Sequence, residues 1–193
     1  MAYDIYTVSG VILEIWNQGE WNKKFSFLSK EYGIIVVTAI GAQRPASKMR
    51  GYINRFSSIS IDVVHGKSGY RLVRARNTSS GLVVYKKESY FILARVSKLL
   101  QGLLPIGAPH PESFFLFTSL CVYLQNTIVL ESNADKIFYE TALRLLSLLG
   151  YRKGHELGFS LSTYNEFDLR IQESTLMREY ELILSENGLS YVI

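Results

Sequence analysis

The chain has 193 residues, 48% of them hydrophobic and 20% charged. That excludes a disordered polyelectrolyte and leaves room for one domain or two small ones, each with a core. The net charge of +4 hides an asymmetry: residues 1–87 hold 13 Lys+Arg against 5 Asp+Glu, and residues 88–193 hold 8 against 12. A basic half points to an anionic partner, nucleic acid or a membrane surface; the alternative is a solubilising surface. Cys121 is the only cysteine. It excludes an intrachain disulfide and any zinc site needing two thiolates, and it fits a reducing, cytosolic location.

Asp4 comes early and no basic run stands near it, a poor match to a signal peptide. Tyr6–Ile15 is rich in β-branched residues and reads as a first strand. Trp21–Leu28 alternates around Phe25 and Phe27, and Glu31-Tyr32-Gly33 reads as a turn. Gly33–Ile40 is a short apolar run, typical of a strand buried on both faces. A basic stretch follows, Gly41 to Phe56, with Arg44, Lys48, Arg50 and Arg55. It is expected to form a loop and a short helix. Ser58–Val64 alternates, Gly66 to Gly69 is a hairpin signal, and Tyr70–Ala75 forms a fifth strand.

From Asn77 the texture changes. Glu88–Leu104 has helical spacing and ends at Pro105. Ser113–Leu130 carries no charge, and its length approaches a membrane span. Its polar residues (Ser113, Thr118, Ser119, Gln125, Asn126 and Thr127) and the lack of basic flanks favour a buried helix of a bundle. Ser132, with Asp135, is the expected cap of a helix over Ala134–Leu149, and Gly150 suits its C-terminus. Ser174 is the expected cap of a last helix that runs through Leu184 and stops at Asn187-Gly188.

Five strands in about 80 residues, with one long insert before the fourth, predict an α+β chain. A barrel occupies residues 1–80 and an all-α region residues 81–193. The OB-fold is such a barrel, and other small five-stranded barrels share the pattern.

At the basic stretch the chain resembles the RecO family of bacterial recombination mediators. The matching residues are Gly41-Ala42 with Arg44, then Ser47-Lys48-Met49-Arg50-Gly51, then Phe56. Weaker matches are Gly66 with Leu72 and Ala75, and Leu145-Leu146 with Leu149-Gly150-Tyr151. The resemblance covers about 150 residues and is strongest over residues 35 to 75. It implies an N-terminal OB-fold and a C-terminal helical domain, single-stranded DNA binding and strand annealing. It also implies partnership with RecR and with the tail of the single-stranded DNA-binding protein, to load RecA in the bacterial cytoplasm at the nucleoid. Two departures stand out. No cysteine follows Tyr151 to His155, so the zinc site of many members is expected to be absent, with no other cofactor implied. The chain is also shorter than typical members, and Phe138-Tyr139-Glu140 lies earlier than the family's aromatic–glutamate pair, which bears on docking of that tail.

Affinity without sequence reading needs cations for phosphates and aromatic faces for bases. Ten cations from three stretches are the candidate contacts: Lys23 and Lys24; Arg44, Lys48, Arg50 and Arg55; Lys67, Arg71, Arg74 and Arg76. Of these, Arg55, beside Phe56, is the one that best suits a structural role, through an ion pair with a carboxylate such as Asp62. Trp16, Trp21, Tyr52 and Tyr70 are candidate stackers, with core packing as the alternative for each. Arg95, Lys98 and Arg144 are the basic residues expected near a partner-peptide groove on the helices.

Enzymatic patterns are missing. His65, His110 and His155 lack metal-ligand spacing, Glu20 and Glu31 are isolated, and no nucleophile elbow or phosphate-binding glycine loop occurs. The chain is therefore read as a binding protein. An adaptor that has lost DNA affinity and an unrecognised enzyme of nucleic-acid metabolism are the alternatives.

Overall fold

Alternation of apolar and polar residues in the first part of the chain folds into five strands. In the computed structural model, which describes residues 4–66, 69–78, 85–151 and 172–189, these are β1 (Ile5–Gln18), β2 (Asn22–Ser29), β3 (Gly33–Ala39), β4 (Ser58–Gly66) and β5 (Gly69–Asn77). They close into a barrel in the order β1-β2-β3-β5-β4. All neighbours are antiparallel except β3 and β5. A five-stranded barrel in this order is the OB-fold, and helices follow it in the chain.

Every second residue fills the barrel: Phe25 and Phe27 from β2, Ile35 and Val37 from β3, Ile59, Ile61 and Val63 from β4. Ala42 and Ile53, from the segment between β3 and β4, join the same core, so this segment closes one end of the barrel. Its backbone runs as successive turns (Arg44 N–H to Gly41 O, Ser47 N–H to Arg44 O, Arg50 N–H to Ser47 O), and no helix forms. Gly41, Pro45 and Gly51 interrupt it too often for a helix to propagate.

Phe56 ends the segment with φ of 62°, which among the described residues no other non-glycine residue shares. Such a conformation costs on the order of 1–3 kcal/mol. It is held by the Phe56 N–H donating to Ile12 O at 2.8 Å, the Ile12 N–H donating to Ser57 O at 3.1 Å, and burial of the ring.

The chain divides into two compact units, Met1–Val83 with Leu104–Phe114, and Val84–Leu103 with Phe115–Ile193. In the first, Gly107 N–H donates to Ile34 O at 2.8 Å. Gly33 has φ of +63°, and a Cβ there would lie 2.0 Å from Ala108 O, so only glycine fits.

The second unit holds most of α1 (Lys87–Leu103), α2 (Pro111–Asn126), α3 (Glu131–Leu148) and α4 (Glu173–Glu186), with α3 packed on α1 and α4. Leu93, Val96, Leu100, Leu120, Leu124, Ile137, Leu145, Leu146, Leu176 and Ile183 form buried stripes at helical spacing. α3 ends as expected at Gly150 (φ +81°): Gly150 N–H donates to Ser147 O and Tyr151 N–H to Leu146 O, each at 3.0 Å.

Three local expectations change. α2 stops at Asn126, whose Nδ2 donates to Val122 O at 2.9 Å, so it is shorter than the uncharged run. Phe115 and Val122 on α2 are exposed rather than buried. Ser132 and Ser174 are not caps: the N-cap residues are Leu130 and Gln172, neither with a side-chain cap bond. Burial of Val129 and Leu176 on either side sets those entries, and the two serines fall inside the first turns. Among the described residues no helix is long and apolar enough to cross a membrane.

Candidate nucleic-acid interface

The strand register assembles a row on the outside of the barrel. Trp16 in β1 lies opposite Lys24 in β2, Lys24 opposite Thr38 in β3, and Thr38 opposite Arg71 in β5. Side chains directly opposite across neighbouring strands share a face. Phe25 and Tyr70, one residue along, face the core instead, which fixes this row as outward. Trp16, Lys24 and Arg71 are exposed.

At one end of this row the β1–β2 turn is tied to the β3–β4 segment. Gly41 N–H donates to Asn22 Oδ1 at 2.8 Å and Gln43 N–H to Trp21 O at 2.9 Å. The Gln43 side-chain amide donates to Asn22 O at 2.9 Å and to Asn17 Oδ1 at 3.0 Å. These bonds hold the basic segment beside Lys23 and Lys24. Lys23 shares the inward parity of Phe25 but sits where the barrel ends, half-buried, with Nζ donating to Ile53 O at 3.5 Å. Burial, and then the positive charge of Arg50, lower its pKa from the usual 10.5.

The ten sequence candidates separate by their partners. Arg55 donates to Glu14 Oε1 at 2.9 Å and lies 5.7 Å from the Phe56 ring centre. It is held in an ion pair, and the partner is Glu14, not Asp62. Asp62 is instead held by Arg76, at 2.5 and 2.6 Å to its two oxygens, and accepts from the Thr7 hydroxyl at 2.8 Å. The reason is register: Asp62 faces outward from β4 between Thr7 of β1 and the arginines of β5, whereas Glu14 lies under the β3–β4 segment. Lys24, Arg44, Lys48, Arg50, Arg71 and Arg74 are exposed and form no ion pair among the described residues. Lys67 lies outside the described residues.

The aromatic candidates also differ. Trp16 and Trp21 are each 40% exposed. Tyr52 and Tyr70 pack against the barrel core, and Tyr70 also meets the His65 ring edge-on at 4.8 Å between centroids.

In the helical unit Arg95 and Arg144, two of the expected groove cations, are held by carboxylates. Arg95 is paired with Asp135 and its guanidinium lies 3.6 Å from the Phe138 ring centre. Arg144 donates to Glu140 at 2.6 Å, with both side chains buried. Lys98 is exposed. A groove between α1 and α3 is lined by Lys87, Glu88, Tyr90, Phe91, Ala94, Glu131, Ala134 and Asp135.

Two further polar groups outside the barrel strands, at His110 and Cys121, have structural surroundings. His110, Glu112 and Ser113 come together, but Glu112 and Ser113 both approach the same His110 Nδ1, and Ser113 is fully buried. The Ser113 N–H also donates to this nitrogen at 3.3 Å, so His110 caps α2, with Pro111 at its first position. Cys121 is buried, its thiol pushed up to about 12 by desolvation, which makes it unreactive. Among the described residues no group of three or more His, Cys, Asp or Glu is placed to hold a metal ion.

No family model matches the chain. Curated relatives do. A DNA repair protein RecO from Desulfitobacterium hafniense is 30% identical over 152 residues, 77% of this chain and 53% of the relative. One from Pelotomaculum thermopropionicum is 24% identical over 148 residues, 76% and 56%, and one from Thiobacillus denitrificans 26% identical over 148 residues, 74% and 57%. The chain spans about half the length of the curated relatives it matches.

Proposed function

Because the chain is a RecO-family member, we propose that it is a non-catalytic mediator in bacterial DNA repair and recombination. It binds single-stranded DNA on the barrel, promotes annealing, and works in the cytoplasm with RecR and the single-stranded DNA-binding protein to load RecA. The observation that carries the DNA-binding step is the set of six exposed barrel cations without carboxylate partners among the described residues, joined by an exposed tryptophan on the Trp16–Lys24–Thr38–Arg71 row. Cations already neutralised by carboxylates release few counterions from a phosphate backbone; unneutralised ones release many.

A titration of fluorescently labelled single-stranded oligonucleotide at several salt concentrations tests this reading. Contact with six phosphates gives a log–log slope of about −4. Reversing Lys48 and Arg50 to glutamate weakens binding to all sequences alike, by roughly tenfold or more at moderate salt. An adaptor without DNA affinity shows no titratable binding in either protein, and wild-type affinity in the double variant removes the basic segment from the interface. Cleavage of the oligonucleotide by pure protein with magnesium, abolished by a single substitution, would make the chain an enzyme instead.

A further inference from the structure

The barrel offers cations on several sides, and of the four aromatic candidates Trp16 is the one in line with Lys24 and Arg71. We propose that the strand crosses the barrel along the Trp16–Lys24–Thr38–Arg71 row, that one unpaired base stacks on the Trp16 indole, and that this contact makes the protein prefer single-stranded to duplex DNA. The inference rests on the DNA-binding reading above and adds the path of the strand and the origin of its selectivity.

Four adjacent strands carry the row, so it spans three inter-strand steps, about 14 Å. That is roughly four nucleotides at the duplex rise of about 3.4 Å per strand, and fewer when the bases unstack. One base on Trp16 with phosphates on Lys24 and Arg71 fits this length. Trp16 is 40% exposed, and among the described residues its ring makes no aromatic or cation–π contact. The other candidates are committed elsewhere. Tyr70 meets His65, Tyr52 lies on the barrel core, and Trp21 sits in the turn whose carbonyl receives Gln43, off the row. The carboxylate nearest to Trp16 on the same strand face, Glu14, is neutralised by Arg55 and so does not repel an approaching phosphate. A duplex has no free π-face to offer, so phosphate contacts serve both forms of DNA while the indole serves only the single strand.

The protein has two tryptophans, Trp16 and Trp21, so Trp21→Phe leaves Trp16 as the sole indole reporter. Full-length protein is titrated with labelled oligothymidylate, alone or annealed to oligoadenylate. Anisotropy follows the label and emission follows Trp16. In W21F, Trp16 emission is quenched with the same midpoint as the anisotropy rise. Trp16→Leu, apolar but without a ring, weakens single-strand binding about five- to 150-fold. Its duplex binding and thermal unfolding stay at wild-type values, and Trp16→Phe recovers most of the loss. Wild-type single-strand affinity in W16L, or unchanged Trp16 emission while anisotropy saturates, overturns the stacking assignment and leaves DNA binding intact. Equal losses for single strand and duplex overturn the selectivity. No anisotropy change with wild-type protein defeats both this inference and the function it rests on.

Discussion

Two sets of cations, one on the barrel and one on the helices, meet opposite surroundings. On the barrel, Lys24, Arg44, Lys48, Arg50, Arg71 and Arg74 stand in water without a carboxylate among the described residues. In the helical unit, Arg95 is spent on Asp135 and on aromatic rings, and Arg144 on Glu140. The difference teaches that a count of basic residues measures neither stability nor affinity. An arginine buried against a glutamate specifies packing, while an arginine on a strand face remains available to a polyanion. Two of the barrel's own cations, Arg55 and Arg76, behave like Arg95 and Arg144, so the division runs by partner rather than by region.

The largest expected effect breaks the helical side of this comparison. Arg144→Met leaves the fully buried Glu140 carboxylate without its guanidinium and destabilises the fold by about 3–5 kcal/mol. Denaturant unfolding reads this. Adding Glu140→Leu recovers most of the loss, because the stranded charge is then gone. Oligonucleotide affinity, measured where the variant is still folded, stays unchanged. A matching fall in affinity would mean that the helical unit also touches DNA.

Next come two arginines of β5 that look equivalent in the sequence. Arg76→Ala strands the buried Asp62 and destabilises by about 1–3 kcal/mol, with no change in the salt slope of DNA binding. Arg71→Ala changes stability by less than about 0.5 kcal/mol but makes the single-strand salt slope shallower by about 0.7. If the two variants exchange these signatures, the partner-based division is wrong.

Much of the barrel was legible because period-two alternation is a local signal: Ile59, Ile61 and Val63, or Phe25 and Phe27, announce their face directly. The cation stretches were legible for the same reason. Partner choice was not. Asp62 takes Arg76 rather than Arg55 because β1 and β5 flank β4, a matter of register between strands distant in the chain. The β-branched run that marks the first strand ends at Ile15, three residues short of Gln18, so the local signal leaves Trp16 off the pleat on which it meets Lys24. Polar Asn17 and Gln18 continue the strand only because Lys23 and Asn22 pair with them, and no local propensity records that. The helix starts misread at Ser132 and Ser174 failed in the same way, with burial rather than a capping side chain setting the entry.

The smallest effect sharpens the comparison at Lys23, which belongs to neither class: it is half-buried, has no carboxylate partner among the described residues, and lies close enough to Arg50 to feel its charge. Its pKa is lowered in the free protein, so between that value and 10.5 the unfolded chain binds more protons at this site, and stability rises with pH through the window. A phosphate beside Nζ favours the charged form and raises the pKa again. Over the same window, DNA binding therefore takes up a proton, and affinity falls as pH rises. One group thus tilts stability and affinity in opposite directions. Lys23→Arg, whose guanidinium stays charged throughout, flattens both tilts. If the affinity profile of K23R runs parallel to wild type while the stability profile flattens, Lys23 is a strained structural cation that no phosphate reaches, and the interface stops at the exposed six.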